Sequence, residues 1–121
     1  ERARRRAAET RGLWAERLAE WWLRLRGWRL LARRFKTPVG EIDLVLRRGR
    51  VVAFVEVKAR ADLDAAAEAV DLRTRRRIVR AAELFMQRRE DLADCERRFD
   101  VALVRPRALP VIIENAFFAD D

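Results

Sequence analysis

Histidine is absent from this 121-residue chain, and cysteine occurs once, at Cys95. Without imidazole there is no Ser–His–Asp triad, no histidine general base and no histidine metal ligand. A single cysteine can neither close an internal disulfide nor build a cysteine zinc site. No apolar run approaches the ~20 residues of a membrane span. The first six residues are largely charged and no apolar leader core follows them. A cytoplasmic protein without membrane association is expected. Lysine is nearly absent too: of 28 basic residues only Lys36 and Lys58 are lysine. Arginine supplies the generic positive charge, so a lysine needs a reason of its own.

What is present fits one domain spanning residues 1–121. Half the residues are hydrophobic, enough for a core, and 40% are charged. Basic residues outnumber acidic ones 28 to 20, giving a net charge of +8 and a pI near 11.3. Such a balance points to a polyanionic partner, most simply nucleic acid. A soluble protein from an arginine-rich proteome would show the same excess.

Periodicity predicts the elements in order. Residues 4–26 read as a helix whose Trp14, Leu18, Trp21, Trp22 and Leu25 recur every three or four positions. That stripe is expected to face the core or a second subunit, the less common alternative being a base-stacking platform. Gly27 ends the helix. Strands are predicted over residues 28–35, 41–47 and 51–59. In the second strand, Ile42, Leu44 and Leu46 share one face and Glu41, Asp43 and Val45 the other. The third is the most apolar run in the chain and reads as a central strand covered on both faces. A polar, alanine-rich connection over 60–70 leads to Asp71, a good N-cap, and to a helix over 72–89. Two further strands are predicted over 98–105 and 111–118, the last at an edge. The order α-β-β-β-α-β-β gives an α/β mixed sheet flanked by helices: a meander of three strands, then a helical crossover to a parallel fourth.

The chemistry concentrates on the second and third strands. Buried strands rarely carry ionised groups without cause, yet these hold Glu41, Asp43, Glu56 and Lys58. A two-residue turn at Gly49-Arg50 pairs residues whose numbers sum to 99 and sets Asp43 opposite Glu56. A turn at Arg48-Gly49 gives a sum of 97, with Glu41 opposite Glu56 and Asp43 diagonal. Either odd sum gathers the acids; an even sum would split them between faces. Opposed carboxylates repel unless a cation lies between them. All-oxygen ligands favour Mg²⁺ or Mn²⁺. Lys58 offers a compact, titratable amine that arginine cannot. Its alternative role is a structural salt bridge with a neighbouring acid.

Asp43-x12-Glu56-Val57-Lys58 matches the PD-(D/E)xK nuclease motif, without the proline directly before its aspartate. Gly40-Glu41-Ile42-Asp43-Leu44 together with Phe54-Val55-Glu56-Val57-Lys58 resembles the bacterial YraN family. These are endonuclease-like proteins distantly similar to archaeal Holliday junction resolvases. The resemblance extends to Gly12-Leu13-Trp14-Ala15-Glu16, Gly27-Trp28-Arg29 and Arg98-Phe99-Asp100. It implies a restriction-endonuclease-like fold, Asp43, Glu56 and the Val57 carbonyl as metal ligands, Lys58 as catalytic lysine, and Glu16 as an additional acid. Glu41 is a neighbouring candidate ligand. Periodicity alone places Glu16 on the solvent face, well over 100° from the tryptophan stripe at ~100° per residue. Relatives often carry asparagine where this chain has Arg34, and lysine where it has Thr74.

Arg73, Arg75, Arg76, Arg77 and Arg80 crowd the start of the second long helix, where cations oppose the macrodipole. Such a cluster points to phosphate contacts; a solvated charged face is the alternative. Arg34 and Lys36 are further candidates, as is the basic stretch Arg4–Arg6. No base-reading element is visible, so shape or junction geometry in DNA is the expected target. Three functions follow: a Mg²⁺- or Mn²⁺-dependent endonuclease, a non-catalytic nucleic-acid-binding module with a vestigial site, or an interaction protein dimerising through its tryptophan-rich helix. Symmetric junction cutting would require a homodimer.

Overall fold

A computed structural model describes the backbone of residues 2–60 and 70–119, and side chains from residue 12 onward within those spans. The connection over 61–69, the side chains of Arg4–Arg6 and the tip at 120–121 lie outside the described residues. Among the described residues the elements are α1 (Arg2–Leu25), β1 (Arg29–Thr37), β2 (Gly40–Arg48), β3 (Val51–Ala59), α2 (Leu72–Gln87), a short 3₁₀ turn (Glu90–Leu92), β4 (Glu96–Val104) and β5 (Val111–Phe117). The order α-β-β-β-α-β-β is the expected one, and the mixed α/β sheet is consistent with a nuclease-like fold.

The five strands lie side by side in chain order, β1-β2-β3-β4-β5. β1, β2 and β3 form the antiparallel meander, β4 runs parallel to β3, and β5 returns antiparallel as an edge strand. β3 is central, with Val52, Phe54 and Val55 fully buried. Each such side chain contributes roughly 1.5–3 kcal/mol through burial.

The helices cover opposite faces. On the α2 face, Phe54, Phe99 and Phe117 stack across β3, β4 and β5 at 5.6 and 5.2 Å, and Phe85 of α2 meets Phe54 edge-on at 6.0 Å. Offset and edge-on ring pairs of this kind add to what burial alone provides. Asp71 caps α2 as expected, accepting from the Thr74 N–H at 2.8 Å. α1 ends in a Schellman arrangement at Gly27, whose φ of 92° suits glycine. The Trp28 N–H donates to the Leu23 carbonyl, and the Gly27 N–H to that of Arg24.

The core half of the expectation about α1 does not hold for Trp14, Trp21 and Leu25. Its buried residues are Ala15, Ala19, Glu20 and Leu23, whereas Trp14, Trp21 and Leu25 are 55%, 49% and 63% exposed. The small alanines let the helix approach Leu44, Leu46, Ala53 and Val55 closely. Bulky tryptophans on that line would hold it away. Trp14, Trp21 and Leu25 therefore face outward, Leu18 packs at the edge of the α1-side core and Trp22 is half-buried, and the face that carries Glu16 and Glu20 turns toward the sheet.

Candidate active site and basic groove

The β2–β3 register decides whether the acids meet. Pairs Leu44↔Val55 through Arg48↔Val51 all sum to 99, and the turn is Gly49-Arg50 with Gly49 at φ 60°. The alternative sum of 97 is not the one adopted. The ladder stops at Leu44↔Val55, one step short of Asp43 and Glu56. There the Val57 N–H donates to Asp43 Oδ2 at 2.8 Å, so a side chain takes the place of a ladder bond.

β2 is bent at this point. Ile42 packs in the α2-side core with Val45, while Leu44 and Leu46 pack against α1. Simple alternation, which would put Ile42 with Leu44, therefore fails. The neighbouring strand bends at the same level. Arg33↔Leu44 and Phe35↔Ile42 bracket Arg34, which has φ 47°. A left-handed residue inside a strand upsets the regular alternation of faces. Successive residues Arg33 and Arg34 accordingly both reach α1. Arg33 grips Glu20 through two bonds of 2.5 and 2.9 Å, and Arg34 holds Glu16 at 3.0 and 3.3 Å.

Glu16 consequently faces inward, contrary to the solvent-face reading. It lines a cavity of about 180 Å³ with Arg34, Lys36, Glu41, Ile42 and Asp43. Glu41 is exposed at its rim. Asp43 also lies against Glu56, whose carboxyl is pushed up to about 9 by burial first, then by hydrogen bonding to Asp43 and by that group's charge. Lys58 opposes this rise. Lys58 is half-buried and makes no ion pair among the described residues, and its charge also acts on Asp71. The structural salt bridge considered as its alternative is not formed among them.

The donor set suits a hard cation. Two carboxylates in contact, one of them strongly destabilised as an anion, make a pair that a divalent ion would relieve. Among the described residues no group of three acidic, histidine or cysteine side chains gathers as a metal cluster. Two carboxylates suffice for Mg²⁺, which usually keeps several waters and takes further oxygens from substrate phosphate.

A second feature lies on the α2 side. Arg73, Arg76, Arg77 and Arg80 line a groove with Pro38, Val39 and Leu72. Gly40 makes this groove possible, because a Cβ there would run into the Arg77 carbonyl. Arg75 does not join its neighbours. Its Nε donates to the Val70 carbonyl at 2.8 Å, and its guanidinium lies 5.7 Å from the Phe117 ring centre. Lys36 belongs to the acidic cavity rather than to this groove.

A family model described as "Uncharacterised protein family UPF0102" matches residues 15–104. The chain belongs to this family. The match begins one residue before Glu16 and ends with β4, so it includes every acid of the site, Lys58 and the α2 arginines. A UPF0102 protein of Methylorubrum extorquens (strain PA1) is 55% identical over 115 residues, covering 95% of this chain and 90% of the relative. One from Chelativorans sp. (strain BNC1) is 50% identical over 118 residues, covering 98% and 95%. One from Parvibaculum lavamentivorans is 54% identical over 111 residues, covering 92% and 84%. Among the described residues no helix is long and apolar enough to cross a membrane.

Two charged residues matter more than their sequence pattern suggests. Glu20 is buried and takes Arg33 and Arg24, an arrangement that holds its carboxyl below the usual range, chiefly through the Arg33 hydrogen bonds. It ties α1 to β1 and so sets the depth of Glu16. Asp100, 1% exposed, receives Arg98 at 2.9–3.2 Å and the Asn115 N–H at 3.1 Å. It secures the irregular register between β4 and β5, which gives Arg98-Phe99-Asp100 a structural role. The i, i+4 spacing of Glu20 and Arg24 is the one visible cue to the first; the inward alternation of Phe99 and Val101 conceals the second.

Proposed function

We propose that this UPF0102 protein is a metal-dependent endonuclease that hydrolyses phosphodiester bonds in DNA, branched or junction forms included. The observation that carries the reading is the meeting of Asp43 and Glu56 where β2 parts from β3. These carboxylates, with the Val57 carbonyl, would hold Mg²⁺ or Mn²⁺. When bound, such an ion supplies positive charge to polarise a phosphate and acidify a water. Lys58, two residues beyond Glu56 and free of ion pairs among the described residues, presents its amine to the charge that builds on the phosphate oxygens, or accepts the attacking water's proton. Glu16 and Arg34 close the α1 side of the cavity. In that reading Arg34 stands ready to exchange Glu16 for a substrate phosphate. The α2 arginines would hold the duplex backbone beside the site, without reading bases. The preference for DNA rests on the resemblance to junction resolvases.

A second reading, a nucleic-acid-binding module with a vestigial site, is favoured by one observation. The arginine groove on α2 needs neither a metal nor Lys58 to hold phosphates. The deciding experiment incubates purified protein with four-way junction, flap, single-stranded and plasmid DNA, in Mg²⁺ or Mn²⁺ and in EDTA. Cleavage that requires metal and is abolished by Lys58→Ala, with binding retained, supports the nuclease. Inert wild type and variant that both bind DNA establish the module.

A further inference from the structure

We infer that the outward face of α1 is a stacking platform for unpaired nucleotides, separate from the α2 groove. The four tryptophans fall into two classes. Trp22 and Trp28 already have cations on their rings: Arg26 sits 4.4 Å from the Trp22 centre, and Arg48 and Arg98 lie 4.5 and 5.1 Å from that of Trp28. Among the described residues no guanidinium covers Trp14 or Trp21; Trp21 tilts against Trp22 at 6.3 Å, and both Trp14 and Trp21 are about half exposed. Apolar groups turned outward in this way mark a contact surface rather than a core.

The positions are ordered. Trp14 and Trp21 lie seven residues apart on one line of α1, a rise of about 10 Å at ~1.5 Å per residue. That is about three base steps at ~3.4 Å. Leu25 continues the line. Aromatic faces at intervals along a basic surface are how single strands are held without sequence preference.

Charge selects the occupant. Arg17 and Arg24 flank the tryptophans and are exposed, with Arg33 beside them. The two acids of this stretch of α1, Glu16 and Glu20, both turn toward the sheet and are engaged by β1 arginines. Two guanidiniums, those of Arg24 and Arg33, thus share one buried carboxylate, Glu20, with Arg17 beside them, and the face remains positive. A second copy docked face to face would bring Arg17 and Arg24 against their own counterparts. A polyanion with exposed bases complements both charge and rings.

This inference takes its ligand class from the nucleic-acid reading but needs no cleavage. The test measures binding of labelled dT12 and of a 12-base-pair duplex to the full chain in EDTA by fluorescence anisotropy. Trp14→Ala and Trp21→Ala should each weaken dT12 binding about tenfold, since stacking contributes ~1–3 kcal/mol per base. Duplex affinity should stay within twofold. The Trp14→Phe/Trp21→Phe pair should retain most of the single-strand binding, which separates stacking from loss of fold. Unchanged dT12 binding, or equal losses for both ligands, overturns the platform. So does dissociation of a dimer, or loss of binding to anionic phosphatidylserine vesicles, in the alanine variants without a change in dT12 affinity. An inactive wild type that still shows the tryptophan-dependent preference would end the nuclease reading and leave the platform standing.

Discussion

Replacing Glu56 with glutamine should stabilise the metal-free protein, and the gain should grow with pH. In the folded state this carboxyl is pushed from 4.5 to about 9, by burial first and then by Asp43. The folded chain therefore keeps a proton that the unfolded chain releases above 4.5. A carboxyl with a raised folded value supports folding fully below its unfolded value, and that support is lost as pH rises through the folded one. Stability thus falls across the window from 4.5 to 9. At pH 7 the chain is well inside the window, and at ~1.36 kcal/mol per pH unit the limiting cost is about 3 kcal/mol. Water and side-chain relaxation around a half-buried group reduce this, so about 1–3 kcal/mol is expected. Glutamine keeps the shape, can donate to Asp43 and never ionises.

For a chain of this size that gain raises Tm by roughly 3–10 °C. Thermal melts in EDTA at pH 5, 7 and 8.5 measure it, with wild type and Glu56→Gln nearly equal at pH 5 and widely separated at pH 8.5. Added Mg²⁺ should then reverse the order. A ligand at a hundred times its Kd contributes about 2.7 kcal/mol to whichever form binds it, and the wild type keeps both carboxylates. A variant less stable than wild type at pH 7 without metal, or a gap that ignores pH, would refute the opposition of Asp43 and Glu56.

Replacing Arg73, Arg76 and Arg77 together with alanine should lower the salt slope of duplex binding by about 2–3, at ~0.9 per lost phosphate contact. Arg75→Ala should leave that slope unchanged and lower stability instead, since its guanidinium is engaged by the Val70 carbonyl and Phe117; titrations between 50 and 300 mM salt discriminate the two. Asp100→Ala should cost about 3–5 kcal/mol in urea unfolding, because it leaves Arg98 and the Asn115 N–H without their buried acceptor. A loss below about 1 kcal/mol would show that water replaces the carboxylate. The Glu20 carboxyl is lowered from 4.5 in the fold, so its support is present above that value and is lost as pH falls through the folded one. Glu20→Gln should therefore flatten the acid limb of the stability curve below pH 4.5, read from melts between pH 2.5 and 6.

The strands, their order and the β2–β3 pairing were open to reading because each signal was local. β3 is a run of β-branched residues, Gly49 marks the turn, and side-chain parity restricts the register to odd sums if the acids are to meet. Periodicity places Glu16 outward, against what the resemblance implies, because it weighs size. Trp14, Trp21 and Leu25 dominate any apolar stripe, yet a helix packed tightly on a sheet prefers Ala15 and Ala19 beneath it. The bend at Arg34 and Asp43 was hidden for a different reason. A non-glycine residue at φ 47° has no signature in hydrophobic alternation, and only the pairing of Arg33 and Arg34 with successive acids on α1 reveals it.

The alanines that draw α1 onto the sheet carry Glu16 to within reach of Arg34, and the same rotation turns Trp14 and Trp21 outward. A tryptophan-inward helix would bury the stripe but lift Glu16 away from the cavity and leave Glu20 without Arg33. One choice of helix face therefore decides both what enters the acidic cavity and what is offered to a partner outside. Ala19→Trp should disturb both: it would lift α1, weaken the Glu20–Arg33 pair and open the cavity between Glu16 and Asp43. The loss should greatly exceed that from Trp21→Ala, because overpacking a fully buried alanine strains the interface while truncating a half-exposed tryptophan removes few contacts.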